Sequence, residues 1–592
     1  ITNRSRLFTD TYESESGTGL SVTGGSVLSA RGELNATVGH PEVLDSAITV
    51  ISGKGEDSVL RINCSSWGDF QRSNISVGAG NGAAGDPGRD GQAGGSAFLH
   101  LVNAQLYGCH LSTIAGNGGD CGPPPDDSFS QGKGGTGGSA SARLDLSYIS
   151  GCTIGLAAGS GGDGPAGNEV SPKGARSGGP GGRGGDAALA WNGANLLFSD
   201  SVLSLAAGNG GRGGEGAQAP DGHFDGGNGA EGGAGGTVSA VVQDEGTFTY
   251  LNSRFEATAG NGGPAGRFGL ASGTGQDGGS GNGGPGGSAI FDLDLRDSFT
   301  GTNSTLGTLG GSGGIGGLGP IAGDGGAGGR AGLNITITTV SATARLLLDR
   351  FTLSSRGGTG GDGGKGFSTS GMTSIPGRGG TGGASGLAVE AEGNIRADEA
   401  DLDCLPGAGG ASDTTARAGA GGPAWLLLAT EQGNLTNCTV SQTISPLDGE
   451  DRWTLANTRV TTPQHFNISG KGIAEEYWTK RVTVKDVGGS AIMDGSATVE
   501  ARRNGTLLES RRSNSRGEAE FRLLDALYTA SGVQYRSYVL SAHDTRGRAS
   551  QQISVFWTPD LFIDLVLLNK QGAPLCSFTR PVQGNMTLIN AI

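Results

Sequence analysis

Apolar and polar positions alternate with period two in short runs that recur along most of the chain. Leu144, Leu146 and Tyr148 alternate with Arg143 and Asp145, and Phe291, Leu293 and Leu295 with Asp292 and Asp294. Leu333, Ile335 and Ile337 alternate with Asn334 and Thr336, and Leu387, Val389 and Ala391 flank Glu390. Such runs predict strands with one buried and one wet face. A shorter second strand follows, as at 153–156, 202–205 and 254–258, and then a glycine anchor. The clearest anchor is Ala-Gly-Asn-Gly-Gly at 207–211; others begin at Ala79, Ala115, Ala158 and Ala259, with looser copies near Gly311, Gly358 and Gly407. Anchors spaced by about forty to fifty residues predict a stack of similar rungs. Similar strands that recur after a long connection stack in parallel. The expected fold is all-β: a parallel β-helix (solenoid) over 57–470, with 1–56 as an N-terminal cap or degenerate rungs.

Glycine changes this picture, with 120 residues in 592. Collagen would need glycine at every third position and far more than 20 prolines. Ordering so much glycine costs chain entropy, which backbone hydrogen bonds have to offset, because aromatic residues are only 5%. The tract from 208 to 237 runs out in Gly-Gly-x triplets, turns near Pro220, Asp221 and Gly222, and returns in the same style. Triplets of this kind suit a three-residue-per-turn extended helix of the polyproline-II type, with no internal hydrogen bonds. Its amides must then pair with neighbouring chains or with water. These tracts resemble the Gly-rich bundles of springtail antifreeze proteins and of phage tail-tip adhesins, which implies a slab of polyglycine-II helices beside the β-helix. Disordered glycine loops are the other reading.

Glycine thins out from about 448 to 477, and residues 471–558 read as short strands with regular turns, an antiparallel β-sandwich. Val484-Lys-Asp-x-x-Gly, Gly495-x-Ala-Thr-Val and Ser515-Arg-Gly-Glu-Ala-Glu-Phe carry a resemblance to carboxypeptidase-regulatory-like and related Ig-like modules. That resemblance implies a fold and no chemistry. Residues 559–592 form a tail with one apolar strand, 561–568, which either packs on its own chain or adds to a neighbouring subunit.

Net charge is −15, which argues against nucleic acid, since phosphate binding needs clustered Lys and Arg. No apolar run reaches the roughly 18 residues of a transmembrane helix, so no membrane span is expected. No secretory leader is visible and the chain opens on Ile1, which reads as a processed or trimmed form. Asn-x-Ser/Thr sequons are abundant: Asn3, Asn35, Asn63, Asn74, Asn303, Asn334, Asn434, Asn437, Asn467, Asn504 and Asn585. They point to a secreted, N-glycosylated protein, although Thr-rich strands also generate sequons freely. Of the 7 cysteines, Cys109 and Cys152 hold the same place in consecutive repeats. One rung apart, at roughly 4.8 Å, they lie within reach of a disulfide or form a column of buried thiols.

Parallel β-helices often resemble pectin lyases and polygalacturonases, whose catalytic residues cluster on one sheet. Asp292, Asp294, Arg296, Asp297, Asp349, Arg350, Asp401 and Asp403 would be the candidates here. They fall at alternate, outward strand positions, whereas acid–base catalysis needs carboxylates converging in a cleft. The 6 histidines make no metal-spaced pair, and Gly361-Asp-Gly-Gly and Gly162-Asp-Gly lack the apolar residue of calcium-binding nonapeptides. No catalytic residue, cofactor or metal is expected. The reading is an extracellular or cell-surface structural glycoprotein that self-assembles head to tail. Its alternatives are an adhesin for a glycan or host surface, an ice-binding protein, or a polysaccharide lyase or hydrolase. An adhesin calls for aromatic side chains at loop tips, where Phe129, Phe224 and Phe367 occur.

Overall fold

The computed structural model describes residues 6–14, 21–23, 26–38, 41–122, 132–170, 174–219, 225–272, 275–338, 345–367, 374–413, 417–447, 451–462, 464–468, 470–555 and 562–568. Among these residues the chain is all-β with no α-helix, and most strands join one large, mostly parallel sheet. The chain divides into two compact units, Ile1–Gly393 with Asp401–Leu428, and Asn394–Ala400 with Ala429–Ile592.

In the first unit, strands one repeat apart pair in parallel and in register. Ala97–Tyr107, Ala140–Asp145, Ala187–Gly193, Val238–Asp244, Ala289–Leu295, Ala331–Ile337 and Ser385–Ala391 follow one another this way. Leu144, Trp191, Val242, Leu293, Ile335 and Val389 therefore share one inward column. A second column holds Tyr148–Ser150, Leu197–Ser199 and Thr247–Leu251. A third holds Asn74–Gly78, His110–Ile114, Thr153–Ala157, Val202–Ala206 and Arg254–Thr258. The repeats 140–157, 187–206 and 238–258 thus have three strands where the alternation predicts two, while in 289–309 one long strand, Ser298–Leu309, spans the second and third columns. The expected run from Leu144 to Tyr148 crosses a corner, and the alternation breaks there: Leu144, Leu146 and Ile149 are buried, whereas Tyr148 is half-buried.

Aromatic rings fill the inside of the middle repeats. Trp191 meets Phe198 and Phe248 edge-on at 5.6 Å, Phe248 meets Phe299 at 5.5 Å, and Phe299 meets Phe351 at 5.8 Å. Edge-to-face contacts of this kind add about 0.5–1.5 kcal/mol each beyond the burial of area. A chain that is poor in aromatic residues places them where successive rungs stack.

In the second unit, Asn394–Asp398, Gln432–Thr436, Arg452–Ala456 and the start of Ile473–Lys485 continue the parallel pairing as far as Tyr477. The strand Ile473–Lys485 then takes new partners, Glu518–Thr529 antiparallel and Phe562–Leu568 parallel. Ala497–Arg503 pairs antiparallel with Thr506–Arg512 and with Tyr538–Asp544. Val482, Val484 and Phe521 share one buried cluster with Val499, Ala501 and Leu540. Of the two fates open to the apolar tail strand, its described part takes the intrachain one: Phe562–Val566 pairs with Arg481–Lys485.

Candidate functional site

The Gly-rich tracts present an outward row of polar side chains, and their geometry follows from the triplet. In the outgoing tract after Ala207, Gly208, Gly211 and Gly214 donate N–H bonds of 2.8–2.9 Å to Gly185, Gly182 and Gly179 of the preceding return tract. Gly210, Gly213 and Gly216 donate, at 2.8–2.9 Å, to Asn261, Pro264 and Arg267 of the next outgoing tract. The returning Gly233 and Gly236 close the pair by donating to Gly211 and Gly208, each at 2.8 Å. Two of every three amides therefore bond laterally to backbone. A Cβ built on Gly211 would lie 2.0 Å from the Gly162 carbonyl oxygen, and one on Gly263 1.9 Å from that of Gly211. The tracts are packed to a distance that only glycine permits.

The third residue of each triplet points outward, as Asn209, Arg212, Glu215 and Gln218 do. Its amide is the one left over, and side chains of the preceding repeat serve it. Asn209 Oδ1 accepts from Asn261 N–H at 2.8 Å, and Asn261 Oδ1 from Ser312 N–H at 2.8 Å. Asp120 Oδ1 accepts from Asp163 N–H at 2.9 Å, and Asp163 Oδ1 from Arg212 N–H at 2.8 Å. On the return side, Asp324 Oδ1 accepts from Arg378 N–H at 2.7 Å. The Asn and Asp of the anchors are thus caps for a neighbouring backbone. The signal in the sequence was their restriction to one position of the triplet; the partner, a repeat away, was not visible.

A second ladder runs inside the corner before the third strand. Asp45, Arg72, Asp200, Asn252 and Asn303 adopt left-handed backbone there, with φ of 46–50°, and Gly108 and Gly151 hold the same corner at 60° and 64°. The next residue is inward and small: Ser46, Ser73, Cys109, Cys152, Ser201, Ser253 or Ser304. Its N–H bonds to the side chain one repeat on, Cys152 to Ser201 Oγ at 2.9 Å and Ser253 to Ser304 Oγ at 2.9 Å. That hydroxyl in turn donates two residues back along its own chain, as Ser304 does to the Thr302 carbonyl at 2.7 Å.

Cys109 and Cys152 belong to this ladder. They stand one rung apart, as expected, and in the structure they are free thiols, not a disulfide. Their sulfurs take ladder partners: Cys152 Sγ accepts from Cys109 N–H at 3.3 Å, and Cys109 Sγ donates to the Phe70 carbonyl at 3.1 Å. Interaction between the two sulfurs pulls Cys109 below the ordinary thiol range, and that interaction together with burial pushes Cys152 above it. Cys64, buried alone, is pushed up to about 12 by burial. Cys576 lies outside the described residues.

Among the sequons, Asn63, Asn74, Asn303, Asn434, Asn437, Asn467 and Asn504 are exposed, and Asn35 and Asn334 are half-buried. Asn303 Nδ2 donates to Asn252 Oδ1 at 3.1 Å, a bond that a glycan on that nitrogen would disturb. Asn3 and Asn585 lie outside the described residues. The strand acids do not converge. Asp292 accepts from Asn334 at 2.7 Å, Asp349 meets Arg350 at 3.1 Å, and Asp403 meets Arg356 at 2.7 Å. Among the described residues, no group of three or more His, Cys, Asp and Glu is placed to hold a metal ion, and no helix is long and apolar enough to cross a membrane.

The tips of three consecutive Gly-rich tracts gather apolar side chains. Phe268 and Phe367 lie with ring centroids 5.3 Å apart, and Leu270, Ile315, Ile321, Phe367 and Ile375 are exposed. Phe268 is an aromatic residue that the sequence reading passed over; Phe129 and Phe224 lie outside the described residues. No known family, no characterised protein and no solved structure matches the chain.

Proposed function

We propose that the chain is an extracellular structural glycoprotein of a cell-surface layer or fibre, non-catalytic, built to carry load through backbone hydrogen bonds and to assemble head to tail. In this reading the stacked rungs are a parallel β-helix, the Gly-Gly-x tracts are polyglycine-II helices in a two-layered slab, and residues 471–558 are an antiparallel sandwich. The observation that carries it is the lateral bonding of the glycine tracts, in which each repeat bonds to the repeats before and after it. Such bonding makes neighbouring repeats cooperative along the stack. The outward triplet positions are largely polar, and several sequons, Asn63, Asn74 and Asn504 among them, are exposed, which suits a solvent-facing surface.

A second reading is favoured by the apolar tips around Phe268 and Phe367. An adhesin would present an exposed apolar patch of this kind to a partner surface. Electron microscopy of the native chain, without detergent, separates the two. Filaments repeating at about one chain length support the structural reading. Discrete particles that lose surface binding on Phe367→Ser support the adhesin.

A further inference from the structure

The strand Ile473–Lys485 alternates, and its inward positions are Ala474, Glu476, Trp478, Lys480, Val482 and Val484. Lys480 and Glu476 are charged residues in an apolar register. Lys480 Nζ contacts Asp525 Oδ2, and the two side chains are 0% and 1% exposed. Asp525 stands at a β-bulge. Glu476 pairs with Ala526 and Tyr477 with Leu524, so residue 525 has no cross-strand partner and its side chain is turned inward. Asp525 Oδ1 has no hydrogen-bond partner among the described residues. Glu476 is held beside this pair by Trp478 Nε1, which donates at 2.8 Å, and Tyr528 Oη, which donates at 2.5 Å; His465 Nδ1 lies at 3.3 Å.

We propose that Lys480 and Asp525 join as an intramolecular amide, a covalent cross-link between the strands Ile473–Lys485 and Glu518–Thr529. The step balances within the pair. A proton passes from the Lys480 ammonium to the Asp525 carboxylate. The neutral amine attacks Asp525 Cγ, forming the C–N bond. The C–O bond to the protonated oxygen then breaks, and that oxygen takes a second amine proton and leaves as water. Nothing is oxidised or reduced, and no co-reactant enters. The products are one neutral amide and one water.

Three features of the site favour this outcome over a standing ion pair. Two charges are removed from a dry interior, which ends their desolvation penalty. The amine already touches the carboxylate, and the two strands that carry them are paired, which replaces a bimolecular encounter by a positioned one. The proton transfer is also eased: burial first, and then the charge of Glu476, push the Asp525 carboxyl up to about 6 against the pull of Lys480. Glu476 acts here as a positioning residue, through its charge. The location suits a cross-link, because the same strand carries the last parallel rung at Ile473–Tyr477 and the antiparallel pairing that follows it.

The test is a tryptic digest of the full chain, read by mass spectrometry. The linked protein yields the Lys480 and Asp525 peptides as one branched species, lighter than their sum by one water, with no cleavage after Lys480. Asp525→Ala and Lys480→Met return separate peptides at full mass. Asp525→Asn gives the same branched species, with ammonia lost in place of water. Recovery of separate, full-mass peptides from wild-type chain with an intact β-sheet circular dichroism spectrum overturns the proposal. That measurement needs no variant to fold.

Discussion

At single residues, the structure turns on polar groups that serve a backbone one repeat away. Cys152 accepts from Cys109 N–H, while Ser201 accepts from Cys152 N–H in the same ladder. Serine is therefore a native solution at this position. Cys152→Ser should leave amide exchange at Cys109 unchanged. Cys152→Val orphans a buried N–H, which costs about 1–3 kcal/mol and should speed exchange there by roughly tenfold or more. Equal rates in the two variants would mean that the ladder bond contributes nothing. Glu476 gives a pH prediction. Burial works to raise its pKa, but the hydrogen bonds from His465, Tyr528 and Trp478 outweigh this and hold it below the ordinary 4.5. A depressed folded value contributes stability that is complete above about 4.5 and is lost as pH falls through the folded pKa. Acid unfolding followed by tryptophan fluorescence should show this loss, and Glu476→Gln should flatten it.

At the level of strands and tracts, glycine plays two different parts. In the lateral tracts it is needed for close approach. Gly211→Ala puts a methyl group 2.0 Å from a backbone oxygen that cannot rotate away. Overpacking of that kind costs about 1–3 kcal/mol or more, felt by both neighbouring repeats. Within the strand Ser298–Leu309, a Cβ on Gly307 meets nothing nearer than 3.9 Å. Gly307→Ala should be neutral or should stabilise by up to about 1 kcal/mol, through a less flexible unfolded chain. Limited proteolysis of the two variants is the check: faster nicking between repeats for Gly211→Ala and none for Gly307→Ala. The opposite order would remove close packing as the reason for the glycines.

For the molecule as a whole, charge and assembly oppose each other. Chains of net charge −15 repel end to end. Salt screens that repulsion over a distance of about 10 Å at 0.1 M. The proposed filaments should therefore be longer at about 0.15 M salt than at about 0.01 M, as measured in micrographs of the same preparation. Lengths that do not change with salt would place the contact between chains on uncharged surface, where the exposed tips around Phe268 and Phe367 become the first residues to replace.

Much of this was legible in the chain. Period-two alternation named the strands, since a side chain on a pleated strand has no third place to go, and recurrence of the anchors announced stacking in parallel. The lateral glycines were legible as a requirement, because a helix without internal hydrogen bonds must bond sideways. What the chain could not disclose was partnership across repeats. Asn209 and Asp163 look like loop polar residues until the amides of Asn261 and Arg212 are placed against them. Cys109 and Cys152 share a column in either chemistry, and the direction each sulfur takes was set by the corner. Lys480 and Asp525 stand 45 residues apart, and the pairing of their strands, with a bulge at 525, brought the amine to the carboxylate. Local pattern is written in neighbours along the sequence, whereas a hydrogen bond or a buried charge pair is decided by register between strands, which depends on every turn and tract that lies between them.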